Sequence, residues 1–214
     1  MTWSLALVET TNHFKCFDYI LDAVDEQLTE DYVEKLHSVL KAGTSSEYNE
    51  YAPVGRYKVF ENEVGQIATA AVDQVEETMY SLLLGYNFKK EKDLAYLASF
   101  HACFEQIHPF ADGNGRVARL LLYKECLKEG ITPFIVDDTR KADYYNALEQ
   151  FQVYDNYKLL IDYFVSEQKS YANYLKNKGF EGKINDSKDR DTIKKKSKII
   201  EESPKKAKNK GLPL

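Results

Sequence analysis

Residues 101–119 read HACFEQIHPFADGNGRVAR, and no other stretch constrains the fold as tightly. Behind Asp93, a residue type suited to cap a helix, Leu94, Leu97, Ala98, Phe104 and Ile107 recur at three- and four-residue steps. That helix must end near His108, because Pro109 lacks an N–H and disfavours helical backbone in the residue before it. The imidazole is thereby fixed at a helix C-terminus, one turn beyond Phe104. From Phe110 to Gly115 the glycines permit positive φ, so a short loop can turn its amides inward as an anion-binding nest. A second helix opens at about Gly115 and aims its unpaired N–H groups and positive dipole end at the same spot. Arg116 and Arg119 share a face of its first turn. Cations there oppose the macrodipole by ~0.3–1 kcal/mol each, so an anion is expected to offset them. A polyphosphate with a divalent cation held by Asp112 meets every one of these conditions.

The twelve residues His108, Pro109, Phe110, Ala111, Asp112, Gly113, Asn114, Gly115, Arg116, Val117, Ala118 and Arg119 resemble the signature of the Fic family, His-Pro-Phe-x-Asp/Glu-Gly-Asn-Gly-Arg-x-x-Arg, with every fixed position present. The resemblance extends from about Glu9 to about residue 175. It implies a mainly helical, all-α fold with a small β-hairpin flap beside the active site, and the activity of a protein adenylyltransferase (AMPylator). In that reading ATP is the co-substrate and Asp112 holds Mg²⁺, with Mn²⁺ as its substitute. His108 is the general base, and Asn114 and Arg116 are catalytic. Asp112, Gly113, Asn114, Gly115, Arg116 and Arg119 bind ATP. The partner is a target protein with a Tyr, Thr or Ser hydroxyl, clamped by a flap placed at Glu61, Asn62, Glu63, Val64 and Gly65. Members that transfer the γ-phosphate, the Doc-type toxins, carry a lysine where this chain has Gly115, so the small residue favours AMP transfer. UMP transfer, removal of AMP, and a non-catalytic nucleotide-dependent interaction module stay open as alternatives.

Two hundred and fourteen residues, 43% hydrophobic and 29% charged, suit one globular domain plus a tail. The expected division is an N-terminal helix over 1–28, a core over 29–178 and a Lys-rich tail over 179–214. No run of eighteen apolar residues exists, and MTWSLALVET lacks the pattern of a signal peptide, so a cytoplasmic protein without membrane contact is expected. Cys16, Cys103 and Cys126 all fall in helical patterns without metal-ligand spacing, and read as buried reduced thiols.

The periodicity predicts helices over 9–27, with Phe14, Phe17, Ile20, Leu21 and Val24 inward, and over 29–40, with Thr29 as cap. His37 reads as a core or interface histidine rather than a catalytic one. Residues 43–55 read as loop and 55–65 as a short hairpin or extended edge, a place where main-chain bonds can recruit another chain. A helix over 72–84 is expected to break at Gly85. The helix opening at Arg116 should end near Gly130, Pro133 to Asp138 should be extended, and helices should follow over 141–150 and 156–176.

Tyr144 and Tyr145 resemble the family's purine-site residues; as aromatic rings they can stack a base. The segment from Glu9 to Tyr19 resembles the helix that follows the family's inhibitory segment, whose glutamate pairs with the second arginine. That places the segment before Met1 and leaves Arg119 without an upstream partner. A separate antitoxin-like chain supplying the glutamate and a second copy forming a homodimer stay open as partners. Residues 181–214 carry eleven Lys or Arg against six acids, net +5 of the whole-chain −5, which leaves −10 for residues 1–180. This reads as a disordered or loosely packed, solvated tail rather than a nucleic-acid contact. Within it, Ser197 to Glu202 faintly resembles the inhibitory motif in its C-terminal placement.

Overall fold

The computed structural model describes residues 2–44, 49–64 and 67–179. Among these, α1 (Thr2–Asp22) and α2 (Glu30–Lys41) pack as a pair, and a two-stranded antiparallel hairpin, β1 (Glu63–Val64) with β2 (Ile67–Ala68), follows. Then come α3 (Val75–Phe88), α4 (Leu94–Ile107), α5 (Asn114–Lys128), α6 (Lys141–Tyr154) and α7 (Tyr157–Asn177). The architecture is mainly helical, with a hairpin as its only sheet among the described residues.

Helix α4 is the axis, packing against α3, α5, α6 and α7 at once. Its sequence explains why: Leu97, Ala98, Phe100, Ala102, Phe104 and Ile107 point several ways round the helix and are all buried. A helix apolar on so many sides is stable only inside a bundle. Thr29 and Asp93 cap α2 and α4 as their sequence positions predict, accepting from the N–H groups of Tyr32 and Tyr96. At the far end of α5, Gly130 takes φ 72°, and the N–H of Ile131 closes back on the carbonyl of Cys126 at 2.8 Å, which seals the helix C-terminus.

Several boundaries differ from the sequence reading. Helix α1 starts seven residues earlier than expected and stops at Asp22, and Phe14 is 37% exposed. Gly85 does not break α3. A Cβ there would meet nothing within 4 Å, so the helix runs through it to Phe88 on the packing of Met79, Leu83 and Tyr86. The hairpin is displaced towards the end of the expected segment, and each strand is two residues long. Cys16 and Cys126 are buried free thiols that burial pushes up to about 12, and Cys103 is half-buried. No described helix is long and apolar enough to cross a membrane. The tail motif at Ser197 to Glu202 lies outside the described residues.

Candidate active site

The N–H of His108 closes on the Phe104 carbonyl at 3.0 Å, and the residue itself turns left-handed at φ 52°, ψ 59°. A non-glycine residue held there costs about 1–3 kcal/mol and persists only where its surroundings over-determine it. Pro109 supplies the local reason, since it forbids continuation of α4. The ring is fixed as well. His108 Nδ1 lies 3.2 Å from the Glu105 carbonyl, and a carbonyl only accepts, so Nδ1 carries the hydrogen and Nε2 keeps its lone pair. Burial lowers the imidazole's pKa; the Glu105 carbonyl opposes this and the Lys58 ammonium adds to it. The net result is a neutral ring with Nε2 as a free base.

The loop that follows is stapled from inside. Phe110 is fully buried, and Asn114 at the start of α5 accepts from its N–H at 2.8 Å and donates to its carbonyl at 2.7 Å. Both ends of the Asn114 amide are therefore used within the loop. The residue, 1% exposed, shapes the nest rather than lining it for a ligand. Gly113, at φ 87°, caps α5 and donates to the side chain of Asp112 at 2.7 Å. Among the described residues, the N–H groups of Asn114 and Gly115 have no acceptor, so the first turn of α5 presents open donors and its positive end.

His37 buttresses this loop from α2. It stacks on Phe110 with centroids 3.9 Å apart and planes 7° off parallel. Its Nδ1 accepts from Gly55 at 2.9 Å, so Nε2 donates to the Asp112 carbonyl at 3.0 Å. Burial pushes this histidine down to about 4, keeping it neutral. The core role expected for it thus becomes a specific one, fixing the backbone that carries Asp112.

The hairpin is tied to the same loop. Lys58 N–H donates to the Pro109 carbonyl at 2.7 Å, and Asn62 Nδ2 donates to the Phe110 carbonyl at 2.9 Å. The Lys58 ammonium, 3% exposed, bonds Asn62 Oδ1 and Thr69 Oγ1 and so joins both arms of the hairpin. Glu61 turns away to accept from the N–H of Val72, while Glu63 and Val64 pair with Ala68 and Ile67. Gly65 lies outside the described residues.

Asp112 is 58% exposed at its side chain, and the Lys41 and Arg116 side chains converge on its Oδ2. Burial alone would raise its pKa; those two cations outweigh this and hold it below the usual carboxylate range. No group of three His, Cys, Asp or Glu able to hold a metal occurs among the described residues. A divalent cation at Asp112 would take its remaining ligands from substrate phosphates and water, which is how Mg²⁺ is ordinarily bound beside nucleotides. The donor set fits on those terms.

Tyr144 and Tyr145 are separated by the fold. Tyr145 is 49% exposed, whereas Tyr144 is 1% exposed, with its hydroxyl 2.7 Å from His101 Nε2 and donating to Glu105 Oε1 at 3.2 Å. Only Tyr145 offers a ring to a ligand; Tyr144 belongs to the network beneath Arg119. Sequence reasoning missed Glu9, Asn12, Lys41 and Glu105. Glu9 bonds Arg116 Nη1 at 3.0 Å, and Asn12 caps the end of α2 through the carbonyls of Leu40 and Ala42. The partners of Glu9, Asn12 and Lys41 are remote in the chain, so nothing local in the sequence marks these residues, and Glu105 meets Tyr144 39 positions on.

The family model of the Fic/DOC family matches residues 27–126. The protein adenylyltransferase Fic of Nematostella vectensis is 32% identical over 99 residues, covering 45% of this chain and 23% of that protein. Its counterpart from Drosophila mojavensis is 39% identical over 54 residues, covering 25% and 11%. The match thus spans less than a quarter of these curated relatives. In structure, a Fic domain containing signaling protein from Bacteroides thetaiotaomicron superposes with a TM-score of 0.63 at 24% identity, covering 78% of this chain and 66% of that one. Fic-1 from C. elegans, in its E274G form, gives 0.65 at 19%, covering 80% and 53%. Motif loop, helical bundle and family model agree: residues 27–126 of this chain match the Fic/DOC family, in a fold shared with solved Fic domains.

Proposed function

We propose that this domain transfers AMP from ATP to a hydroxyl side chain of a target protein. The observation that carries the reading is His108, whose Nδ1–H is committed to the Glu105 carbonyl so that Nε2 stands as a bare base at the lip of a loop with open amides. An imidazole that burial keeps neutral has the lone pair needed to take a hydroxyl proton. The hydroxyl oxygen then forms a bond to the α-phosphorus, the bond to the α–β bridging oxygen breaks, and pyrophosphate leaves with that electron pair. The open N–H groups of Asn114 and Gly115 receive charge that grows on the phosphoryl oxygens. Arg116 and Arg119 bind the leaving phosphates as charge-assisted donors. Asp112 would hold Mg²⁺, with Mn²⁺ as an alternative; that ion supplies charge neutralisation across the phosphates when bound. Tyr145, whose ring is half exposed, would stack on the purine, and the two-stranded hairpin would offer its main chain to the target's backbone.

The test is incubation of the protein with α-labelled ATP, Mg²⁺ and lysate, wild type against His108→Ala. Label on a protein band that the variant loses by about 100-fold or more supports transfer, the range expected for removing a general base. Tight ATP binding without label or turnover supports an interaction module instead. A preference for UTP, or release of AMP from a modified protein, would redirect the same site to the related nucleotide chemistries.

A further inference from the structure

Lys41, at the end of α2, is outside the motif, yet its buried side chain ends on the motif's acid, Asp112. Its side chain is 3% exposed, and Nζ lies 2.5 Å from Asp112 Oδ2 and 3.2 Å from Glu9 Oε1. Glu9 Oε2 in turn takes Arg116 Nη1 at 3.0 Å, and Arg116 Nη2 comes to 3.5 Å of Asp112 Oδ2. Two acids and two bases thus close a ring of alternating charge joining α1, α2, the loop and α5. A buried ammonium paired with part-exposed carboxylates can be purely structural. Two features of this one point to an exchangeable role. First, the ammonium sits 2.5 Å from Oδ2 of Asp112, the residue proposed to ligate a divalent cation, closer than the Arg116 guanidinium at 3.5 Å, and a unit positive charge at that distance repels an incoming divalent ion. Second, Lys41 holds a second carboxylate. On leaving Asp112 it remains neutralised by Glu9, so the swap strands no buried charge.

We infer that Lys41 occupies the cation seat of the phosphate loop, acting as a built-in competitor that sets how tightly a divalent metal binds Asp112. The inference rests on the proposed role of Asp112 as metal ligand. Metal entry is then an exchange in which the ammonium withdraws to Glu9 while Asp112 turns to the incoming ion and the nucleotide phosphates.

The experiment uses Mn²⁺ alone, titrated into the full chain and followed by water-proton relaxation and by broadening of the Gly113 amide signal. Lys41→Met should bind Mn²⁺ about tenfold or more tightly than wild type, a conservative figure for removing a unit charge beside a divalent ion. Lys41→Arg, which keeps the charge, should stay at wild-type affinity. Adding Asp112→Asn to Lys41→Met should abolish the gain. The inference is overturned if Lys41→Met binds no tighter than wild type, if the gain survives loss of Asp112, or if neither protein binds millimolar Mn²⁺. Thermal melts accompany each variant, and Lys41→Gln replaces the methionine variant should that one fail to fold. No nucleotide is present, so failure here leaves AMP transfer standing. Absence of label beside the predicted Mn²⁺ response sinks AMP transfer alone.

Discussion

Arg116 and Arg119 stand three residues apart on α5, yet the bundle treats them oppositely. Arg116 lies on the rim, 28% exposed at its side chain, and is claimed by Glu9 and Asp112. Arg119 lies one turn further along α5, partly buried as well, and makes no ion pair among the described residues. Its guanidinium sits beside Gly115 and Glu105: a Cβ built on Gly115 would come within 3.3 Å of both Arg119 Nη1 and Glu105 Oε1. Around it are His101 and Tyr144, both buried, and a small cleft lined by His13, Phe17, Tyr123 and Phe134. Burial pushes His101 down to about 3 and raises Glu105, so the groups beneath Arg119 tend to neutrality. The rim therefore holds a guanidinium paired with two carboxylates, whereas Arg119 meets the Tyr144 hydroxyl and faces the buried Glu105 carboxyl without a salt bridge. An arriving phosphate finds no ion pair to displace at Arg119, whereas Arg116 must first exchange partners.

The largest effect should appear in acid. His37 and His101 are neutral in the folded protein, with values near 4 and 3, and take a proton near 6.5 once unfolded. The unfolded state binds more protons in that window, so stability is complete above about pH 6.5 and falls as the pH drops towards 4. Glu105, raised by burial, gains stability on protonation and offsets part of the loss. The rim acids Asp112 and Glu9 are held low, so their share is lost only further down. Melting curves across pH 7 to 4 should show a decline that added salt barely alters. A decline abolished by salt would assign it to the rim and break the contrast.

Nucleotide affinity tests the contrast directly. Arg119→Ala should weaken binding of a non-hydrolysable ATP analogue by about 10- to 100-fold, as expected for a lost charge-assisted bond. Arg116→Ala should cost only a few-fold, because its guanidinium gives up Glu9 and Asp112 in order to bind. Equal losses measured by calorimetry would show that the rim pairs do not hold Arg116 back. Tyr144→Phe should lower stability by about 1–2 kcal/mol, since it leaves His101 and Glu105 buried without their shared hydroxyl. Denaturant unfolding measures this, and a neutral result would dissolve the deep network. The smallest change belongs to Glu9→Gln. Its carboxylate is 36% exposed, and breaking such a pair costs about 0–1 kcal/mol of stability, while Arg116 affinity for phosphate should rise.

Much of the site was legible in the chain because its determinants are local. Pro109 ends α4, Gly113 supplies a backbone that side chains rarely adopt, and Thr29 and Asp93 reach amides three residues on. Boundaries set by packing were not legible in the same way. Gly85 looks like a stop by propensity, but the buried face of α3 outweighs about 1 kcal/mol of glycine penalty. Asn114 and Tyr144 carry side chains suited to a ligand, and burial diverted both to the protein's own groups.

By itself the sequence determined a helix, a forced stop with an imidazole on it, a glycine loop and a helix opening with two arginines, since steric rules within a few residues admit little else. The tertiary structure alone decided what charge each arginine meets. Glu9 reaches Arg116 from α1 and Lys41 reaches Asp112 across 71 positions of chain, and His37 locks the loop from 75 away. Separations of that size carry no short-range signal. The pairs exist because the apolar faces of α1, α2 and α5 bury one another, and that burial brings the charges at their ends to a single point.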